Sequence, residues 1–316
     1  GLLMVWYGAF YALLEDNIRR LLAYSIVSQV GYMVVAIGIG TPLALNGAAA
    51  HAFAHIIYKA LLLMAAGAVI FATDRQGLSQ LGGLGRAMPW TAAFATIGAF
   101  TLVALPLTSA FASKALITQA AAESQLGGVW FALTCASALA VLYVGLRLPW
   151  LVFWDRDSGL RPPEAPFNMR LAMGLLAILC LLLGVWPSLF YGLLPFSMNY
   201  QLFTAAHLVA QWQLLLFAAL VFFLALPWLR SRPGLTLDLD WFYRRPGFEL
   251  LYLVNRRFLQ NRDYLEERLR VLLARLMLVL SRHQGPYGEL ARTWPTGSMV
   301  LWVAVLLAIC LIFYYL

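Results

Sequence analysis

Residues 43–73, LALNGAAAHAFAHIIYKALLLMAAGAVIFAT, make an apolar run that also holds His51, His55 and Lys59. The run exceeds the roughly 20 residues a helix needs to cross a bilayer. At about 100° per residue, the i, i+4, i+8 spacing keeps the three side chains within roughly 80° of one another, on one helix face. An ionisable group at the bilayer centre costs on the order of 2.5–3.5 kcal/mol even on the milder insertion scales. A lone histidine there is equally well explained as a core residue bonded to a carbonyl, and a lone lysine as one that snorkels. Three such groups on one face predict a functional stripe at mid-membrane.

The surrounding chain has the same character. It is 62% hydrophobic and 11% charged, against about 45–50% and 25% in soluble domains, which predicts an all-α polytopic membrane protein. The formal charge of +8 sits beside the hydrophobic spans and lacks an aromatic-basic motif, so it speaks for membrane orientation and against nucleic acid. Of the 22 lysines and arginines only Lys59 and Lys114 are lysine, and both lie in apolar surroundings. Arginine stays protonated at any accessible pH, whereas a desolvated lysine is able to release its proton. Cys135, Cys180 and Cys310 fall in separate spans without metal-ligand spacing. No P-loop or dinucleotide fingerprint occurs, and LGGLG at 81–85 follows no strand, so it reads as a tight loop. No metal or cofactor is expected.

The expected spans are 2–14, 20–40, 43–73, a broken 88–122, 128–154, 169–195, 208–230 and 298–316. The first is too short for a core of about 30 Å, and the chain opens on Gly1 without a basic region. It reads as the end of a helix, with earlier spans expected upstream. In ALPLTSAF, Pro106 breaks the hydrogen-bond ladder, and Thr108 and Ser109 are placed to satisfy the freed backbone groups. A second short helix, about 110–122, carries Lys114. A break beside one of two lysines favours a transport site over a simple kink. Arg147 falls near a membrane edge, where snorkelling explains it. Over 247–283, Leu251, Val254, Phe258, Leu265, Leu269, Leu272, Leu276 and Val279 recur every three or four residues among arginines, interrupted at Asn261 and Arg262. This predicts a lateral amphipathic helix of roughly 50 Å on the membrane surface, followed by RTWPTGS and the last span. Loops 41–42, 123–127 and 196–207 hold no lysine or arginine, so the arginine-rich side is expected to be cytoplasmic.

NIRRLLAYSIVSQVGYM at 17–33, HAFAHIIYKALLLMAAGAVI at 51–70, LGGLGRAMPW at 81–90 and ALPLTSAFASKALI at 104–117 resemble the antiporter-like family shared by Mrp-type Na+/H+ antiporters and the proton-pumping arm of respiratory complex I. DLDWFYRR at 238–245 looks more like D-type antiporter subunits. The resemblance implies two inverted five-helix repeats, each with a broken helix bearing a lysine, of which this chain would hold the second. It divides the chain into an antiporter-like domain at 1–154, additional transmembrane helices at 155–230, a cytoplasmic-side lateral helix at 231–297 and a final helix at 298–316. It implies that His51, His55 and Lys59 form the central relay, with Lys114 the lysine on the outlet side. Arg19 stands where the family usually has lysine and Asn17 where it often has aspartate. Because arginine does not deprotonate, Arg19 is expected to be a fixed charge that tunes its neighbours.

The expected function is a proton-conducting subunit of a multi-subunit Na+/H+ antiporter in a bacterial inner membrane, a transporter component rather than an enzyme. Its partners would be other membrane subunits, protons, sodium and lipid. The alternative is an L-type subunit of complex I or a membrane hydrogenase, within an NADH:quinone oxidoreductase in the first case. A component of an inorganic-carbon transporter and a non-conducting scaffold are the remaining readings.

Overall fold

The structure, a computed structural model, describes residues 1–230, 241, 243–260, 262–284 and 296–315. The chain divides into two compact units, Gly1–Thr236 and Leu237–Leu316. The first contains α1 (Leu2–Leu14), α2 (Ile18–Ile39), α3 (Pro42–Thr73), α4 (Pro89–Leu102), α5 (Ser109–Glu123), α6 (Gly127–Trp154), α7 (Phe167–Val185), α8 (Pro187–Tyr191) and α9 (Ala205–Leu229). No strand occurs among the described residues. Six described helices are long and apolar enough to cross a membrane.

The central helix, α3, begins at Thr41, whose side chain accepts from Ala44 N, with Pro42 preset for the first turn. It packs against α2, α4, α5 and α7. Its buried face is rich in small residues, including Ala44, Ala48, Ala50 and Ala54, which let neighbouring backbones approach closely where no water drives the helices together.

The expected break is present between α4 and α5. Pro106 has no N–H to continue the ladder, and Ala104 and Leu107 take left-handed backbone angles, φ 61° and 70°. Thr108 Oγ1 donates to Leu105 O at 2.7 Å, as expected, but Ser109 Oγ has no partner among the described residues. The freed carbonyls are satisfied mainly from farther away. Gln211 Nε2 of α9 donates to Val103 O at 3.3 Å and to Ala104 O at 2.9 Å, and Lys114 Nζ donates to Leu102 O at 2.8 Å.

Two expectations need correction. Arg147 does not snorkel: it is 3% exposed, and its Nε donates to Leu229 O at 3.0 Å and its Nη1 to Ala12 O at 3.3 Å. Those carbonyls lie in the last turns of α9 and α1, where intrahelical donors run out and the helix dipole is negative, so burial is compensated by two helix ends. The span expected at 169–195 stops at Val185, because Pro187 cannot extend it and starts α8 instead. Over 247–283 the described residues form α10 (Phe248–Gln260) and α11 (Arg262–Gln284), preceded by a π-helical turn at Tyr243–Gly247.

In this second unit Leu251, Val254, Leu265, Leu269, Leu272, Leu276 and Val279 are all exposed, as is α12 (Thr296–Tyr315) along Met299–Tyr314. Asn261, the Phe258 side chain, residues 238–240 and 242 of DLDWFYRR, and residues 292–295 of RTWPTGS lie outside the described residues. The tight loop at 81–85 forms as expected. Gly82 has φ 147°, and a Cβ there would meet Arg156 O at 2.1 Å.

Candidate functional site

The three residues of the α3 stripe are buried together: His51 is 0%, His55 8% and Lys59 3% exposed. The imidazole rings of His51 and His55 are 6.2 Å apart between centroids, and Tyr58 meets His55 edge-on at 5.4 Å. Lys59 Nζ donates to Ser25 Oγ of α2. His51 Nδ1 lies 2.9 Å from Ser113 Oγ of α5, the residue next to Lys114. The Lys114 ammonium lies 4.9 Å above the centroid of the Tyr32 ring, and that ring is 6.0 Å from His51. His51 is thus joined to the Lys114 region through the Ser113 hydroxyl and the Tyr32 ring, and neighbours His55 on its other side.

This arrangement is not that of satisfied core residues. Nε2 of both His51 and His55 is buried without a partner among the described residues, which leaves two nitrogens in need of a hydrogen-bond partner or water. Neither Lys59 nor Lys114 joins an ion pair among the described residues. A buried ammonium without a carboxylate is costly, and the nearest compensation here is a hydroxyl, a carbonyl and an aromatic face.

Lys114 also borders a half-enclosed cavity of about 430 Å³ lined by Thr118, Ser137, Tyr200, His207 and Gln211 among others. Its wall runs along α5 from Phe111 to Gln119 and takes in the N-terminal half of α6 and the start of α9. These share the end of the molecule where the described loops 124–126 and 192–204 carry no lysine or arginine.

Several polar residues join the site without having been expected there. Ser25, Ser28, Gln29 and Tyr32 line one face of α2, and Tyr143 meets them from α6. Tyr58 OH donates to Gln29 Oε1 at 3.4 Å, Gln29 Nε2 to Tyr143 OH at 3.3 Å, and Tyr143 OH to Ser28 Oγ at 3.4 Å. Tyr32 OH donates to Leu133 O at 2.8 Å and lies 3.0 Å from Ser137 Oγ. The spacing 25, 28, 29, 32 is itself helical, and that signal is present in the sequence. Arg19 is different. It lies exposed in the first turn of α2, where its backbone N–H donates to the Asn17 side chain at 2.9 Å, and its guanidinium makes no contact with the stripe among the described residues. Asn17, in the place of the family's aspartate, is the N-cap.

Residues 1–140 match the family model described as NADH:quinone oxidoreductase/Mrp antiporter, TM. His51, His55, Lys59 and Lys114 all fall inside the matched residues, whereas His207 and Gln211 fall outside them. A protein of Rhizobium meliloti, described as the A/B component of a probable K(+)/H(+) antiporter, is 33% identical over 196 residues, 60% of this chain and 20% of that protein. NADH-ubiquinone oxidoreductase chain 5 of Cryptococcus neoformans is 33% identical over 201 residues, 61% of this chain and 30% of that protein. The chain therefore spans less than a third of either curated relative. Among solved structures, a chain of the membrane-bound sulfane sulfur reductase, an archaeal respiratory membrane complex, superposes with TM-score 0.60 and 25% identity over 98% of this chain and 54% of that one. The chain is thus an all-α, multi-pass membrane protein.

Proposed function

We propose that this chain acts as a proton-conducting subunit of a multi-subunit monovalent cation/proton antiporter in a bacterial inner membrane. The observation that carries the reading is the buried line Lys59, His55, His51, Ser113 and Lys114, which ends at a half-enclosed cavity. In this mechanism Lys59 releases its proton toward His55, the free Nε2 atoms of His55 and His51 take and pass it with water, and Lys114 receives it. Each proton crossing a 100 mV potential contributes about 2.3 kcal/mol, comparable to the cost of one buried lysine charge. Partner subunits complete the path. A redox-driven complex is the second reading, favoured by the likeness to chain 5 of NADH-ubiquinone oxidoreductase.

The two are separated in everted vesicles carrying a pH-sensitive dye. Addition of Na+ or K+ is expected to release a preformed proton gradient only when this chain is present. If deletion leaves cation-driven proton movement intact but abolishes proton pumping by NADH oxidation, the redox reading replaces the antiporter.

The exposed apolar face of α10 and α11 supports a position on the cytoplasmic membrane surface. Cysteines replacing Arg257 or Arg268 are expected to react with a membrane-impermeant thiol reagent from the cytoplasm, and one replacing Leu269 to be protected. Equal labelling at all three positions contradicts a lipid-facing helix.

A further inference from the structure

We propose that His207 on α9 is the last proton-carrying side chain of the outlet, exchanging protons between Lys114 and water at the mouth of the cavity; this rests on the proton-conducting reading. Lys114 and His207 line the same cavity of about 430 Å³, room for roughly a dozen waters at about 30 Å³ each. His207 lies in the first turn of α9, toward the end of the molecule where α5 finishes and α6 begins, and Lys114 lies deeper, beside the break.

Two features hold the imidazole ready. Its ring stacks on Tyr200 at 5.7 Å and 23°, and its Nδ1 lies 3.3 Å from Leu202 O. A carbonyl partner requires the hydrogen on Nδ1, which leaves Nε2 as the basic nitrogen. One turn farther, Gln211 grips the carbonyls of Val103 and Ala104. The helix that carries His207 is therefore fastened to the same break whose Leu102 carbonyl holds Lys114. In each cycle a cavity water takes the proton from Lys114 and delivers one to His207 Nε2. The imidazolium then gives it to water at the mouth and returns to the neutral tautomer.

The test uses native membrane vesicles with antibody detection of the assembled chain, and compares His207→Ala, His207→Gln and Lys114→Arg with the parent. Both His207 variants are expected to lower proton flux by about a hundredfold, the lower end of what a positioned proton-transfer group contributes. Imidazole added on the cavity side is expected to restore most of the flux of His207→Ala, because the vacated space admits it, and to do nothing for Lys114→Arg. Loss of flux in assembled His207→Ala without imidazole rescue overturns the proposal and leaves His207 a packing residue. Parental flux in both His207 variants, with Lys114→Arg inactive, also overturns it while the conducting reading stands. Parental flux in all three variants removes the conducting reading itself.

Discussion

Lys59→Arg is expected to abolish proton flux while the chain still assembles. The substitution keeps the positive charge and much of the length, so a lysine that serves only as a fixed charge tolerates it. A relay lysine does not, because a guanidinium holds its proton at any accessible pH. Lys59 has no carboxylate partner among the described residues, only the Ser25 hydroxyl, so nothing in its surroundings fixes it as a permanent cation. The measurement is dye-reported flux in everted vesicles, paired with detection of the assembled chain, for Lys59→Arg, Lys59→Ala and Lys114→Arg. A drop of at least about a hundredfold is expected for each, the scale of losing a positioned proton-transfer group. Near-normal flux from both arginine variants would falsify the relay.

Gly184→Ala is expected to destabilise the packing of α7 against the break. Gly184 of α7 lies directly against the break: a Cβ there would fall 2.3 Å from Thr108 C and 2.4 Å from Leu107 O. Those atoms are backbone and cannot swing aside. They belong to the stretch where Ala104 and Leu107 already hold left-handed angles. Overpacking of a well-packed core costs about 1–3 kcal/mol and occasionally more, and backbone at this distance puts Gly184→Ala at the upper end. Gly174→Ala on the same helix is the control, because its Cβ would meet nothing closer than Phe94 Cζ at 3.5 Å. Thermal aggregation of the solubilised protein should show a lower midpoint for Gly184→Ala and an unchanged one for Gly174→Ala. Equal midpoints would mean that α7 and the break separate easily.

Much of this was legible in the sequence for a physical reason: apolar spans, a proline in mid-span and ionisable groups in an apolar run are all local signals. The α3 stripe and Lys114 are visible that way, and so is the break at Pro106. What periodicity does not carry is which distant group satisfies a buried atom. Arg147 reads as an edge residue until Ala12 and Leu229 arrive from 135 and 82 positions away. Gln211 reads as one polar residue in a span until it reaches the break 107 positions back. The α2 residues Ser25, Ser28, Gln29 and Tyr32 stand between these cases, since their spacing marks a face but only packing against α3 and α6 gives that face its partners. Arg19 shows the converse, a family position whose side chain here is exposed at a helix start.

Besides Thr108, two side chains donate to the break in the α4–α5 span, one permanently and one conditionally. Gln211, a neutral amide, holds the carbonyls of Val103 and Ala104 whatever the charge on Lys114, whereas the donor to Leu102 O is the Lys114 amine itself. A carbonyl polarised by an ammonium loses much of that polarisation when the proton leaves. The Leu102 amide is thus a built-in vibrational reporter of occupancy at Lys114, with the two following amides as its internal reference.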